Sequence, residues 1–184
     1  MEKVRTPVLS TVVGMMISPG AVLRYSLASI HWGFSLAVST LAFGLFFAQT
    51  GIDLYRTGQQ GLSFVLLSAG AGAAYGALMI PLLGVLVWLT LKVARTDKGL
   101  GWAVSSFCLS YSGALVYSTL GLLFSLLLGW RTAVAFGLTG VLWATGPLIA
   151  SIREMTGGRT GMAVLLSTLV GAVVLTSWSY LGRM

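Results

Sequence analysis

Few residues of this 184-residue chain could carry chemistry. Its carboxylates are Glu2, Asp53, Asp97 and Glu154, and it has one histidine, His31, and one cysteine, Cys108. Acid–base work needs such groups in concert, and a nucleophile needs a base beside it. No two carboxylates stand as a pair at helical spacing. The sequence also holds no Gly-Lys-Ser phosphate loop, no His-Glu-x-x-His and no Gly-x-Ser-x-Gly. Cys108 falls in the middle of an apolar run, where its thiol stays protonated and inert. One histidine and one cysteine cannot build a zinc site. The chain is therefore expected to be no enzyme and to hold no metal or cofactor.

Other polar side chains gather in one stretch: Ser105, Ser106, Ser110, Tyr111, Ser112, Tyr117 and Ser118. Ser106, Ser110 and Tyr117 fall at helical spacing, so with Tyr111 they are a candidate small polar pocket. The same hydroxyls could instead serve hydrogen bonds between helices, worth about 0.6 kcal/mol each. Both readings require the stretch to be a helix inside a larger bundle.

The composition supplies that bundle. Apolar residues make up 57% and charged residues 8%, and mean hydropathy is +0.93. A soluble domain carries about 25% charged residues, so this chain cannot cover a surface in water. The charged residues fence off five uncharged runs: Ile30 to Thr50, Leu62 to Leu91, Leu100 to Leu128, Thr132 to Ser151 and Gly161 to Leu181. A membrane helix needs about 20 apolar residues. The runs are too long for barrel strands and do not alternate in polarity. The expected fold is all-α: a polytopic bundle of five transmembrane helices over 29–184. A sixth crossing would need a re-entrant piece. Pro81 removes a backbone donor and clashes with the Ala77 carbonyl, so a kink is expected there.

Residues 1–28 precede the bundle. Val8, Val12, Met15 and Met16 recur at helical spacing, as do Leu9 and Val13, which suggests a short amphipathic helix at the headgroups. No small-x-small cleavage site follows it, so the segment is expected to be retained. Ser18 and Pro19 are a good N-cap and first residue for a second short helix running toward Trp32. His31 beside Trp32 reads as a headgroup-level anchor, and a proton-sensing His31 is the sharper alternative. Trp88, Trp102, Trp130, Trp178, Tyr55 and Tyr180 also stand near run ends, as an aromatic belt does.

The net charge of +7 has an orienting role. Eight of the eleven Lys and Arg fall on the side of the N-terminus and the second and fourth loops. These include the loop cations Lys92, Arg95, Lys98, Arg153 and Arg159. Three fall on the other side: Arg56, Arg131 and Arg183. The positive-inside rule then puts the N-terminus in the cytoplasm and the C-terminus outside. Cations scattered over short loops do not make a nucleic-acid face. Their expected partners are the bilayer and its anionic headgroups. Small residues four apart, Gly72 with Gly76 and Gly140 with Ala144, allow close helix approach, either within the chain or to a partner helix.

Several elements together resemble the Yip family, the membrane domain of Ypt/Rab-interacting proteins. Ile17-Ser18-Pro19 followed by Val22-Leu23-Arg24 is similar to the family's proline and arginine segment before its first span. Ile80-Pro81-Leu82-Leu83 opens an apolar run ending in Lys92, and the loop Arg95-Thr96-Asp97-Lys98-Gly99 follows. Leu109-Ser110-Tyr111-Ser112 resembles the family's glycine-tyrosine-serine element. Trp143 with Ile152-Arg153-Glu154 resembles the end of its fourth span, and Arg159 to Ala163 its loop into the last span. The resemblance implies five spans, a cytoplasmic N-terminus and no catalysis. Leu115 and Val116 stand where the family often has a proline, and the long N-terminal region of eukaryotic members is missing. A short prokaryotic-type member in a plasma membrane fits best.

The expected function is a non-enzymatic scaffold or auxiliary subunit that packs against other membrane proteins or itself. The alternative is a substrate-binding subunit of a small-molecule transporter that uses a separate ATPase, with the Ser106–Tyr117 cluster as its pocket. A fluorescent protein that matures only in the cytoplasm, fused after Arg183, should stay dark. A bright fusion contradicts five spans with a cytoplasmic N-terminus.

Overall fold

The computed structural model describes residues 8–93 and 96–181. Lys3, Arg5, Arg95 and Arg183 lie outside the described residues. Among those described, the fold is helical throughout with no strand. Helix α1 (Val8–Ile17) is followed by a single turn at Pro19–Ala21, a π turn at Val22–Ser26 and a 3-10 turn at Leu27–Ser29. Five helices then follow that are long and apolar enough to cross a membrane. They are α2 (Trp32–Arg56), α3 (Leu62–Val93), α4 (Leu100–Leu128), α5 (Ala133–Met155) and α6 (Thr160–Leu181). The all-α five-span bundle is thus the fold observed.

Local irregularities follow from the sequence. In α3 a π turn at Tyr75–Met79 comes just before Pro81, and the Ile80 N–H donates to the Tyr75 carbonyl. Widening the turn there accommodates the proline ring without breaking the helix. Helix α5 begins as a π turn and is interrupted at Ala144, three residues before Pro147. Gly129, with φ +70°, ends α4 in the left-handed conformation that glycine adopts without strain. His31 starts α2: its Nδ1 accepts the Gly33 N–H at 3.1 Å, and its ring stacks on Trp32. That position suits an anchor at the membrane surface.

Helix α2 is the hub, packing against α3, α4 and α5. Its partner α3 approaches it almost backbone to backbone. A Cβ added to Gly72 would run into the Phe43 carbonyl, and one on Gly76 into that of Ser39. The Ser39 hydroxyl donates to the Gly76 carbonyl at 2.9 Å. Below this contact lies an aromatic core. Phe43 meets Tyr111 and Tyr75 at ring separations of 4.9 and 5.2 Å, and Phe46 stacks on Trp178 at 5.3 Å.

Helix α1 is helical as its spacing requires, and its apolar face is covered by protein. Val12 and Met15 are buried with Leu109, Leu115 and Val116, and Leu9 lines the same groove as Leu120. These neighbours lie around the middle of α4. The cause is packing: the face carrying Val12 and Met15 finds an apolar partner along α4.

Gly76→Leu should force α2 and α3 apart, at about 1–3 kcal/mol or more. Gly171→Leu on α6, where a Cβ meets nothing within 4 Å, should leave folding unchanged. Thermal unfolding in detergent distinguishes the two, and equal midpoints would contradict the α2–α3 contact.

Candidate functional site

The hydroxyls of α4 meet different neighbours. Ser106 and Ser110 are fully buried and donate to the carbonyls of Ala103 and Ser106 at 2.9 and 2.8 Å. Ser110 also meets the Ser151 hydroxyl of α5 at 3.3 Å. Ser112 donates to the Leu109 carbonyl at 2.7 Å. Tyr111 belongs to the aromatic core, while Tyr117 packs half-buried against Trp143. These side chains look in different directions because one helix turns 100° per residue and meets a different neighbour at each step. The serines satisfy backbone carbonyls and meet a neighbouring helix, while the Tyr111 hydroxyl is buried without a hydrogen-bond partner.

The predicted small-residue faces are likewise used inside the chain. Gly72 and Gly76 close on α2. A Cβ on Gly140 would lie 2.8 Å from the Ala114 Cα of α4, and Ala144 is fully buried. Neither pair is left open to a partner helix.

The predicted basic loops meet at one end of the bundle. Lys92 lies over the Trp88 ring at 5.4 Å and Lys98 over Trp102 at 5.0 Å. The Trp88 indole donates to the Lys98 carbonyl at 2.9 Å, which pins the loop between α3 and α4. Arg24 pairs with Glu154 at 2.6 Å and ties the N-terminal turns to the end of α5. That hydrogen bond, and the carboxylate charge with it, push the Arg24 guanidinium above its ordinary value. Beside this pair is a cleft of about 400 Å³ lined by Lys98, Asp97, Thr156 and Arg159 among others. Arg153 and Arg159 are exposed.

The opposite end holds what the sequence reading missed. There the first span runs on to Arg56, six residues beyond Thr50, so Asp53 lies in the last turns of α2 and not in a loop. Gln49, Asp53 and Arg56 fall on one face. Gln49 is fully buried, and its Nε2 donates to the Ser118 carbonyl of α4. Asp53 Oδ2 accepts the Ala133 N–H at 3.0 Å. Arg56 donates to the Ser125 hydroxyl at 2.8 Å, the Ser125 carbonyl at 2.7 Å and the Trp130 carbonyl at 3.3 Å. The carboxylate thus completes the N-terminus of α5, and the guanidinium the C-terminus of α4. Each charge has the sign that its helix end favours.

Next to these groups the Trp178 indole of α6 donates to Thr50 Oγ1 at 3.0 Å. A cavity of about 240 Å³ opens here, lined by Thr50, Asp53, Thr57, Arg131, Val134 and Trp178 among others. In this part of the bundle Gln49 Oε1, Asp53 Oδ1, Ser118 Oγ and Thr132 Oγ1 are buried without a hydrogen-bond partner. The signal in the sequence was the spacing Gln49, Asp53, Arg56. Treating charges as span ends concealed it.

No family model matches the chain, and neither a curated protein nor a solved structure shows significant similarity to it.

Arg56→Ala should lower stability by about 1 kcal/mol or more, because bonds to a charged donor are lost at a helix end. Arg56→Lys should not restore it, since an ammonium lacks the planar fork that reaches both Ser125 groups. Thermal midpoints in detergent test this, and full rescue by lysine would contradict the bidentate contact.

Proposed function

We propose that this is a non-catalytic membrane protein that works by contact in the plane of the bilayer, as a scaffold or auxiliary subunit. We also propose the Yip resemblance as its family, and a prokaryotic plasma membrane with a cytoplasmic N-terminus as its setting. The observation that supports the contact reading is a second small-residue face on α3. Gly72 and Gly76 are spent on α2, yet Gly70, Ala71 and Ala74 stay exposed on the outer side of the same helix. A Cβ on Gly70 would meet nothing within 4 Å. Small residues i to i+4 let two helices in lipid approach closely, as the inner face of α3 does with α2. Leu66, Leu67 and Leu78 flank the outer face and are also exposed. They offer the side-chain ridges that a partner helix packs between.

The test replaces Gly70 and Ala74 together with leucine, which leaves the inner contact untouched. Extraction in mild detergent and native mass spectrometry should show the wild type associated, with a second copy or with another membrane protein. The double variant should be folded and monomeric. An unchanged assembly removes this face from the proposal, and turnover by the isolated polypeptide overturns the non-catalytic reading.

A further inference from the structure

The one histidine of the chain, His31, stands at the start of the hub helix. A helix leaves its first four N–H groups without partners of its own. At the start of α2 the His31 carbonyl accepts the Phe34 N–H at 2.9 Å, and the imidazole Nδ1 accepts the Gly33 N–H at 3.1 Å. The side chain is thus the N-cap of the first span. Serine, threonine, aspartate and asparagine are the usual caps, and none of them changes charge between about pH 5 and 8. Histidine does, and its Nδ1 accepts a hydrogen bond only while it carries no proton. Glycine at position 33 gives the ring its room, since a Cβ there would lie 3.0 Å from Nδ1.

We infer that His31 is a pH-sensitive cap, which fastens the first turn of α2 in neutral solution and releases it in acid. With Nδ1 accepting, the neutral ring carries its hydrogen on Nε2. A proton added to Nδ1 turns the acceptor into a second donor, and the Gly33 N–H loses the ring as its partner. The imidazolium also stands at the positive end of the helix dipole, where a cation is disfavoured. The surroundings do not offset these effects. His31 is exposed, and the cleft it shares with Leu27, Ala28, Gly101, Trp102 and Ser105 has no carboxylate among the described residues that line it. The described charges on the adjoining segments are Lys98, over the Trp102 ring at 5.0 Å, and Arg24, which is paired with Glu154. Trp32 is the neighbour that favours a charged ring, and its centroid separation of 6.0 Å is at the outer limit of cation–π attraction. The sign follows: the cap is in place where the ring is neutral and is lost as pH falls. The inference does not depend on the outer face of α3.

The experiment uses the whole protein in phosphatidylcholine nanodiscs at about pH 8 and about pH 5, the range over which histidine changes charge. Isotope-labelled histidine gives the nuclear magnetic resonance signals of this one ring, and they should show the tautomer with hydrogen on Nε2 at the higher pH. Amide hydrogen exchange at Gly33, taken relative to the intrinsic rate at each pH, should speed up about tenfold in acid. His31→Asn keeps a capping oxygen that does not titrate, so its relative exchange should stay slow at both values. His31→Ala has no cap, and its relative exchange should be fast at both. An Nδ1–H tautomer at the higher pH, or wild-type exchange that does not respond to pH, overturns the inference. So does an equal acid response in His31→Asn, or slow exchange retained in His31→Ala.

Discussion

Two helix backbones in near contact set everything else in this fold. In hydrocarbon there is no water to drive helices together, so close van der Waals approach must do it. Gly72 and Gly76 allow that approach, and any side chain at either position would collide with the α2 carbonyls. With α3 drawn in so tightly, α2 becomes the helix around which the others gather. Its rotation is then fixed, with Phe43 and Phe46 toward the aromatic core and Ser39 toward α3. That same rotation decides where the polar end of α2 points.

What it points at is the unfinished ends of two other helices. A helix leaves four amide hydrogens free at its start and four carbonyls at its end. Near the membrane surface these groups compete for scarce partners. Asp53 meets the start of α5 and Arg56 the end of α4, one helical turn apart on the same face. One helix thereby terminates two others. Gln49, deeper in the same row, applies the principle to the Ser118 carbonyl. The charges at the edge of the hydrophobic run are structural parts of the bundle.

Much of the architecture could be read from residue order because the bilayer imposes it. Uncharged length gave the third span at Leu100–Leu128 without error, and Pro81 announced the irregular turn of α3. Residue order does not show which neighbour a side chain meets. A charge in the sequence marks a span end only where no neighbour partners it, and Asp53 and Arg56 stay within α2 because they meet the ends of α5 and α4. Ser106, Ser110, Tyr111 and Tyr117 share a helix but face different partners, and no spacing within one helix reveals those partners. Gly72 and Gly76 were recognised as a packing face, while the helix they pack against emerged only in three dimensions. The seat of α1 against α4 is hidden for the same reason, since amphipathic spacing describes a face and not what covers it.

The seat of α1 bears on the order in which the molecule can be completed. Its apolar face is covered by residues of α4 about a hundred positions later in the chain, and Arg24 is clasped by Glu154, 130 positions away. During synthesis from the N-terminus, α1 leaves the ribosome long before either exists. A helix made early is thus seated late. Until then Val12 and Met15 must shelter in lipid or against other protein, so a chain stopped before α4 would leave that face bare.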